Sequence, residues 1–337
     1  MRVVIAGGTG LIGRALTASL LRDGAIVEVL SRDPARAGRR RPAAVRAVAW
    51  DAADPGRTRE LAEALADADA VVNLSGVPVG PLPWTPGRKR AIVASRVGTN
   101  QAIGAAIALL EPERRPAVFV SAAGIEDYTG LDADPATEAT GGGEATGARA
   151  TGAPAATGAE ATGDFLADLG RRWEAAAEPI AAAGVRVVLI RTSFVLAAGS
   201  DLMALLALPV RLGFGGRYGD GRQWFSWIHL DDLVSVYRRA IEDPTLRGPV
   251  NATSPTPCRQ ADLAAAMARV LRRPNWFRVP AWLLRFVLRG EATLVLGSRR
   301  VVPAKLTRAG FEFDYPDLEG ALRQVLGKEG RHGRSQA

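Results

Sequence analysis

The sequence predicts an α/β chain built on a doubly wound parallel sheet, followed by a smaller mixed C-terminal domain. Three observations carry this. Short apolar runs alternate with helical stretches through the first half of the chain. The runs are apolar at every position rather than at every second one, which marks strands buried on both faces, as parallel strands are. A glycine-rich loop, Gly7-Gly8-Thr9-Gly10-Leu11-Ile12-Gly13, joins the first run to the first helical stretch.

Taken in order, Val3–Ala6 reads as the first strand and Leu11–Arg22 as the first helix. Ile26–Leu30, Val45–Trp50 and Ala70–Leu74 follow as strands. Arg88–Leu110 is one long helical stretch, Ala117–Ser121 a fifth strand, Phe165–Ala183 a helix and Val185–Ile190 a sixth strand. Such alternation makes βαβ units with right-handed crossovers. Beyond Ile190, helices are expected at Asp231–Glu242 and Gln260–Leu271. The apolar Pro280–Leu288 reads as a helix packed on the core. Pro303–Ala309 and Pro316–Leu326 each read as helices with proline in the first turn.

The expected organisation is a nucleotide-binding domain over 1–195, a smaller domain over 196–327 with a distinct final segment from 280, and a polar tail over 328–337. The stretch Thr137–Gly163 stands apart. Ala-Thr-Gly recurs in it at Ala139, Ala145, Ala150, Ala156 and Ala161, and it holds no aromatic or large aliphatic side chain. A segment with nothing to bury gains nothing from ordering, so it is expected to be a mobile insertion.

The 337 residues carry 43 Lys and Arg against 35 Asp and Glu, a net charge of +8. The basic residues are scattered arginines without interleaved aromatics, so a nucleic-acid partner is not expected. One cysteine, Cys258, excludes an intrachain disulfide and a thiolate metal cluster; two histidines, His229 and His332, exclude a three-histidine zinc site. The chain opens directly into its first strand, with no leader-like segment. The long uncharged run Ala70–Gly87 holds Asn73 and four prolines and cannot be a membrane helix. A cytoplasmic protein with no membrane partner is expected.

The glycine loop has a specific physical reading. One glycine turns the chain, one lets backbone approach a pyrophosphate, and one lets the helix pack on the strand, with the helix N-terminus facing the anion. Gly7, Gly8, Thr9, Gly10, Leu11, Ile12 and Gly13 are therefore cofactor-binding candidates in a Rossmann arrangement. At the end of the second strand, where an NAD site places an acid, the chain reads Ser31-Arg32-Asp33. Arg32 suits a 2′-phosphate, which favours NADP over NAD. The alternative is that Asp33 takes the ribose and Arg32 is solvated.

Other motifs extend this pattern: Asn73-Leu74-Ser75-Gly76, Ser95-Arg96, Ser121-Ala122-Ala123-Gly124, Trp173-Glu174, Arg191-Thr192, Trp227-Ile228-His229-Leu230-Asp231-Asp232, Asn251, and Val301-Val302-Pro303 through Gly310-Phe311. With the glycine loop they resemble an atypical extended short-chain dehydrogenase/reductase of the NAD(P)-dependent epimerase/dehydratase superfamily. The similarity is to the "epimerase family protein" branch, which ends in a short domain of unknown function. The resemblance implies that Asn73, Leu74, Ser75 and Gly76 line the ribose side of the cofactor and that Asp51 lies near the adenine. It implies that Ser121 is the catalytic hydroxyl that polarises a substrate oxygen. The competing reading of Ser121 is a capping serine after a strand.

One departure matters. The superfamily's Tyr-x-x-x-Lys pair is missing: four residues after Tyr128, Tyr218, Tyr237 and Tyr315 stand Asp132, Arg222, Ile241 and Glu319. Tyr128 is the remaining acid/base candidate, or else an ordinary loop tyrosine. His229 beside Asp231-Asp232 suggests a triad with Ser121, but no nucleophile elbow is present and the segment reads as a structural brace. The expected function is an NADP-dependent oxidoreductase or epimerase acting on a small molecule, in which a second copy of the chain is the expected protein partner. The rival is a non-catalytic NADP-binding redox sensor or scaffold.

Overall fold

A computed structural model describes residues 1–34, 45–79, 84–126, 128, 134–140, 159–288 and 296–327, with backbone alone for 159–164 and 287–288. Its strands in chain order are β1 (Arg2–Ala6), β2 (Ile26–Ser31), β3 (Arg46–Ala49), β4 (Ala70–Asn73), β5 (Val118–Gly124), β6 (Arg186–Thr192), β7 (Phe194–Leu196), β8 (Gly215–Tyr218), β9 (Trp224–Phe225), β10 (Trp227–His229), β11 (Gly248–Ala252), β12 (Cys258–Arg259) and β13 (Asn275–Val279). The α-helices are α1 (Leu11–Arg22), α2 (Thr58–Leu65), α3 (Pro86–Val93), α4 (Thr99–Ala108), α5 (Ala159–Ala175), α6 (Glu178–Ala182), α7 (Asp201–Arg211), α8 (Leu230–Glu242), α9 (Gln260–Leu271), α10 (Ala281–Leu288), α11 (Ala304–Arg308) and α12 (Leu318–Leu326).

Seven strands form one sheet in the order β11-β6-β5-β4-β1-β2-β3. Strands β3, β2, β1, β4 and β5 pair in parallel throughout. The order reverses at β1, so the C-terminal ends of β1 and β4 form the switch point where doubly wound sheets bind ligands. Both faces are covered: Val3 and Ile5 are as fully buried as Val4 and Ala6. One face packs Val4, Val71 and Phe119 against Leu65, Ile103 and Ile107. That burial on both sides is why the runs lack alternation.

Contacts divide the chain into two units. The first is Met1–Gly124, Leu169–Arg191 and Val234–Val250; the second is Ile125–Asp168, Thr192–Leu233 and Asn251–Ala337. The chain thus passes between the two units several times. The second unit has its own core of Leu196, Met203, Trp227, Met267, Leu322 and Val325. It also holds three small sheets, β10-β7, β12-β9 and β13-β8.

Several expectations are corrected. The stretch read as Arg88–Leu110 is helical but not uniform: a wide π turn at Ala94–Gly98 separates α3 from α4. The stretch Phe165–Ala183 breaks between α5 and α6, where Pro179 removes an amide and its ring clashes with the preceding turn. Helices α2 and α7 went unread. Pro303 stands at the N-cap of α11 rather than within its first turn, and α12 is capped by Asp317, whose carboxylate accepts from the Gly320 amide at 2.7 Å. Among the described side chains of α10, Trp282, Leu283 and Phe286 are exposed rather than packed on the core.

The first residues of the expected insertion are anchored. Glu138 is buried in the second unit, and its carboxylate accepts from the amides of Asn251 (3.0 Å) and Lys305 (3.2 Å). Ala136 forms a parallel bridge with Val301. Of the expected mobile insertion over Thr137–Gly163, residues 159–163 belong to α5 and residues 141–158 lie outside the described residues, as does the expected polar tail over 328–337.

Candidate functional site

The glycine loop connects β1 to α1 at the switch point. Each glycine is there for a different reason. Gly7 has φ +79, and a Cβ on it would lie 2.6 Å from the Leu74 carbonyl. A Cβ on Gly8 would meet the Val29 side chain at 2.7 Å, and one on Gly13 would meet the Gly7 carbonyl oxygen at 2.5 Å. These three positions are closed to any side chain by β4, β2 and the loop itself. Gly10 differs: its Cβ would meet only the Gly7 oxygen, at 3.3 Å, and the residue is exposed. Gly10 is the N-cap of α1 and supplies no side-chain acceptor, so the first-turn amides of α1 point to whatever lies outside. A cradle of backbone at an uncapped helix N-terminus is what a pyrophosphate requires.

Around this loop the structure places other expected residues. Ser31 ends β2 and closes a short turn, its Oγ accepting from the Asp33 amide at 3.2 Å. Arg32 is exposed and makes no hydrogen bond among the described residues. Asp51 is exposed and its carboxylate accepts from the Ala53 amide at 3.1 Å. Leu74 and Ser75 lie against Gly7 with partial exposure, and Gly76 is exposed.

Asn73, expected on the ribose side of the cofactor, ends β4. Its side chain is fully buried, with Nδ2 donating to Asn100 Oδ1 (2.7 Å) and Thr99 Oγ1 (3.0 Å) and Oδ1 accepting from the Ser75 amide (3.0 Å). The amide fixes the turn that carries Leu74 to Gly76, and its polar atoms face inward. Ser121 lies beside Asn73 in the β4–β5 register. It too is fully buried, its Oγ donating within reach of Asn100 Oδ1 (3.2 Å) and the Ala122 carbonyl (3.0 Å). Asn100 in turn donates to the Trp173 carbonyl at 3.1 Å. Sequence reading missed Asn100 and Thr99. They lie two residues and one residue past the π turn, respectively, and only the fold brings them beside Asn73 and Ser121.

Two further ties went unassigned. Arg96, within the π turn, donates to the Val77 carbonyl at 2.9 Å and lies over the Trp173 ring at 5.1 Å. Arg191, fully buried at the end of β6, grips Glu174 bidentately at 2.6 and 2.7 Å. A buried guanidinium needs such a partner, and the motifs Trp173-Glu174 and Arg191-Thr192 were its sequence trace.

In the second unit, Tyr128 is buried and its hydroxyl donates to Asn251 Oδ1 at 2.7 Å. Asn251 Nδ2 donates to the Val302 carbonyl at 3.1 Å. His229 is buried, pairs with Gln324 Oε1 at 2.9 Å, accepts from the Asp231 amide and stacks on Tyr315 with ring centres 3.8 Å apart. Asp232 accepts from the amides of Asp314 (2.7 Å) and Tyr315 (3.1 Å), and burial raises its pKa above the usual carboxylate value. These contacts make His229 and Asp232 the brace that holds residues 314–324. Among the described residues, no three His, Cys, Asp or Glu cluster as metal ligands, and no helix is long and apolar enough to cross a membrane.

Comparison with known proteins agrees with this geometry. Residues 3–147 match the NAD dependent epimerase/dehydratase family, and residues 279–325 match a domain of unknown function, DUF1731. The chain is 33% identical, over 97% of its length and 87% of the relative's, to the chloroplastic epimerase family protein SDR39U1 homolog of Arabidopsis thaliana. It is 31% identical to the epimerase family protein YfhF of Bacillus subtilis, over 97% of this chain and 98% of that one. The chain belongs to the epimerase family. Among family members of known structure, human SDR39U1, crystallised with NADPH, superposes with a TM-score of 0.78 at 28% identity, over 97% of this chain and all of the other. The Thermus thermophilus UDP-glucose 4-epimerase shares the fold at 17% identity, with a TM-score of 0.72.

Proposed function

We propose that this epimerase-family chain binds NADP(H) in the Gly7–Gly13 cradle and uses it as an oxidoreductase or epimerase on a small-molecule substrate. The observation that carries the reading is the cradle itself: three glycines whose Cβ positions are filled by backbone or core, and a fourth, exposed, at an uncapped helix N-terminus. Thr9 to Gly13 would hold the pyrophosphate, Leu74 to Gly76 the ribose side, and Asp51 the adenine edge. Arg32, exposed and unpaired among the described residues, suits a 2′-phosphate. The NADPH in the human relative's structure supports that choice. When bound, the cofactor supplies hydride exchange.

Ser121 is the hydroxyl we assign to the substrate oxygen, aligned from behind by Asn100. Its present bonds do not disqualify it, since catalytic hydrogen bonds often rearrange in the Michaelis complex. Tyr128 would supply a proton only by leaving Asn251. The absent Tyr-x-x-x-Lys pair favours one second reading, an NADP-responsive sensor or scaffold without turnover. A cytoplasmic setting and a paired assembly belong to the same proposal.

The test is fluorescence titration with NADPH and NADH, for wild type and Arg32→Ala. Tighter NADPH binding is expected, with the preference falling roughly tenfold in the variant, as loss of one charge-assisted contact implies. Equal affinity for both nucleotides in wild type would sink the NADP assignment. NADPH consumption across a panel of carbonyl compounds and nucleotide sugars then separates enzyme from sensor.

A further inference from the structure

The second unit carries an exposed apolar surface that its own core does not explain. Helix α7 buries Met203, Ala207 and Val210 on one side, while Leu202, Leu205, Leu208 and Leu212 recur at steps of three, three and four on the other and are exposed. The surface continues beyond the helix. Phe214 meets Phe277 edge-on with ring centres 6.1 Å apart, and Trp276 reaches back to donate to the Gly213 carbonyl at 3.1 Å. The pairing of β13 with β8 fixes that junction. Helix α10 follows β13 after Pro280 and adds Trp282, 67% exposed, and Phe286, 77% exposed.

The charge on these segments is mainly positive. Residues 201–220 and 271–288 contain Arg211, Arg217, Arg272, Arg273, Arg278 and Arg285 against two carboxylates, Asp201 and Asp220, and no Glu or Lys. Apart from the core-facing side of α7, the large exposed side chains are leucine, tryptophan, phenylalanine and arginine, with Ala204, Pro274 and Asn275 between them and Asp201 at the start of α7. Single exposed apolar residues need no explanation, but so many large ones concentrated on α7, β13 and α10 do. Tryptophan beside arginine is the pairing that suits the headgroup level of a bilayer, where the ring seats at the boundary and the guanidinium meets lipid phosphate.

We propose that this face of the second unit docks peripherally on an anionic membrane surface. The charge decides among occupants. A second copy meeting this face symmetrically would set six arginines against six, with only Asp201 and Asp220 of each copy to answer them. A bilayer rich in anionic lipid answers both the apolar stripe and the positive rim. The docking is peripheral and is compatible with the lack of a spanning helix among the described residues.

The test uses the full chain with vesicles of phosphatidylglycerol and phosphatidylcholine in equal amounts, and with vesicles of phosphatidylcholine alone. Co-flotation with the anionic vesicles is expected, with a blue shift of tryptophan fluorescence and a severalfold fall in binding between 0.1 M and 0.5 M salt as the surface charge is screened. The double variant Trp282→Ser, Phe286→Ser should weaken binding at least tenfold and abolish most of the blue shift. Arg278→Glu with Arg285→Glu should do the same through charge. All four side chains are exposed, so nucleotide binding and melting temperature serve as controls for folding. Absence of binding to anionic vesicles overturns the proposal. So does equal binding to neutral vesicles, or salt-insensitive binding that the variants leave intact. Dimers in solution that the same serine substitutions dissociate would assign the face to a second copy and overturn it too.

Discussion

At the scale of single residues, the glycine loop separates fold from binding. Gly7→Ala places a Cβ against the Leu74 backbone at a left-handed φ, so it should damage folding as well as binding. Gly10 is exposed with only one near neighbour, so Gly10→Val should abolish nucleotide binding with the fold retained. Calorimetric titration beside circular dichroism checks this; normal NADPH binding by Gly10→Val would move the cofactor site elsewhere. The loop was legible because its requirement is local: strand, turn and helix are contiguous in the chain. Asn100 was not legible, since an asparagine in a helix carries no signal until β4 and β5 lie beside it. Ser121→Ala tests both together. If the serine polarises a substrate oxygen, turnover should fall on the order of a hundredfold while NADPH affinity barely changes. An unchanged rate would leave Ser121 as a partner of Asn100 alone.

At the scale of elements, the ends of segments hold the surprises. Composition marks Thr137–Gly163 as a single filler, yet Glu138 is a buried anchor for the amides of Asn251 and Lys305. Glu138→Ala would leave the buried Asn251 amide and the part-buried Lys305 amide without this acceptor and should cost about 2 kcal/mol. Deleting 141–158, whose residues include no large apolar side chain, should shift the melting temperature little, because closure entropy depends weakly on loop length. Thermal denaturation of the two variants side by side decides it; equal losses would show that composition was the wrong guide throughout the segment. One acidic residue in an alanine-threonine-glycine run gave no hint, since only its partners on β11 and α11 distinguish it from a solvated one.

A second anchor at this scale responds to pH. Asp232 holds the amides of Asp314 and Tyr315, but burial raises its folded pKa above the ordinary 3.8, with those amides and His229 opposing the rise. A raised folded pKa means that the protonated carboxyl is relatively better accommodated in the folded state. Its contribution to stability is full below pH 3.8 and is lost as pH rises through the folded value. Asp232→Asn removes that titration. Wild type should therefore lose stability relative to Asp232→Asn on going from about pH 3.5 toward neutrality, read as the difference in denaturant midpoints. A difference that grows in the opposite direction would mean that the amide bonds outweigh burial. Sequence pattern identified His229-Leu230-Asp231-Asp232 as a brace but not what it braces, because residues 314–324 lie some eighty positions away.

At the scale of the whole molecule, the parallel sheet was readable because its central strands are buried on both faces, and hydropathy alone then marks them. The second unit was harder. Its strands are two to five residues long, its sheets pair two strands at a time, and its core draws on α7, α9 and α12 together. No local periodicity announces such an assembly. The same division predicts how a nucleotide stabilises the chain. All the proposed NADP contacts fall in Met1–Gly124, within the first unit. A ligand that binds only the folded state stabilises it by RT ln(1 + [L]/Kd), about 2.7 kcal/mol at a hundredfold excess over Kd. If the units unfold as one cooperative body, saturating NADPH should raise a single transition of the whole chain. If they unfold separately, it should raise one transition and leave the other in place. Scanning calorimetry with NADPH, with NADH at the same concentration, and with Gly10→Val as the non-binding reference distinguishes the cases. A shift of the second-unit transition alone, marked by the fluorescence of Trp276 and Trp282, would mean that the nucleotide sits elsewhere than the glycine cradle.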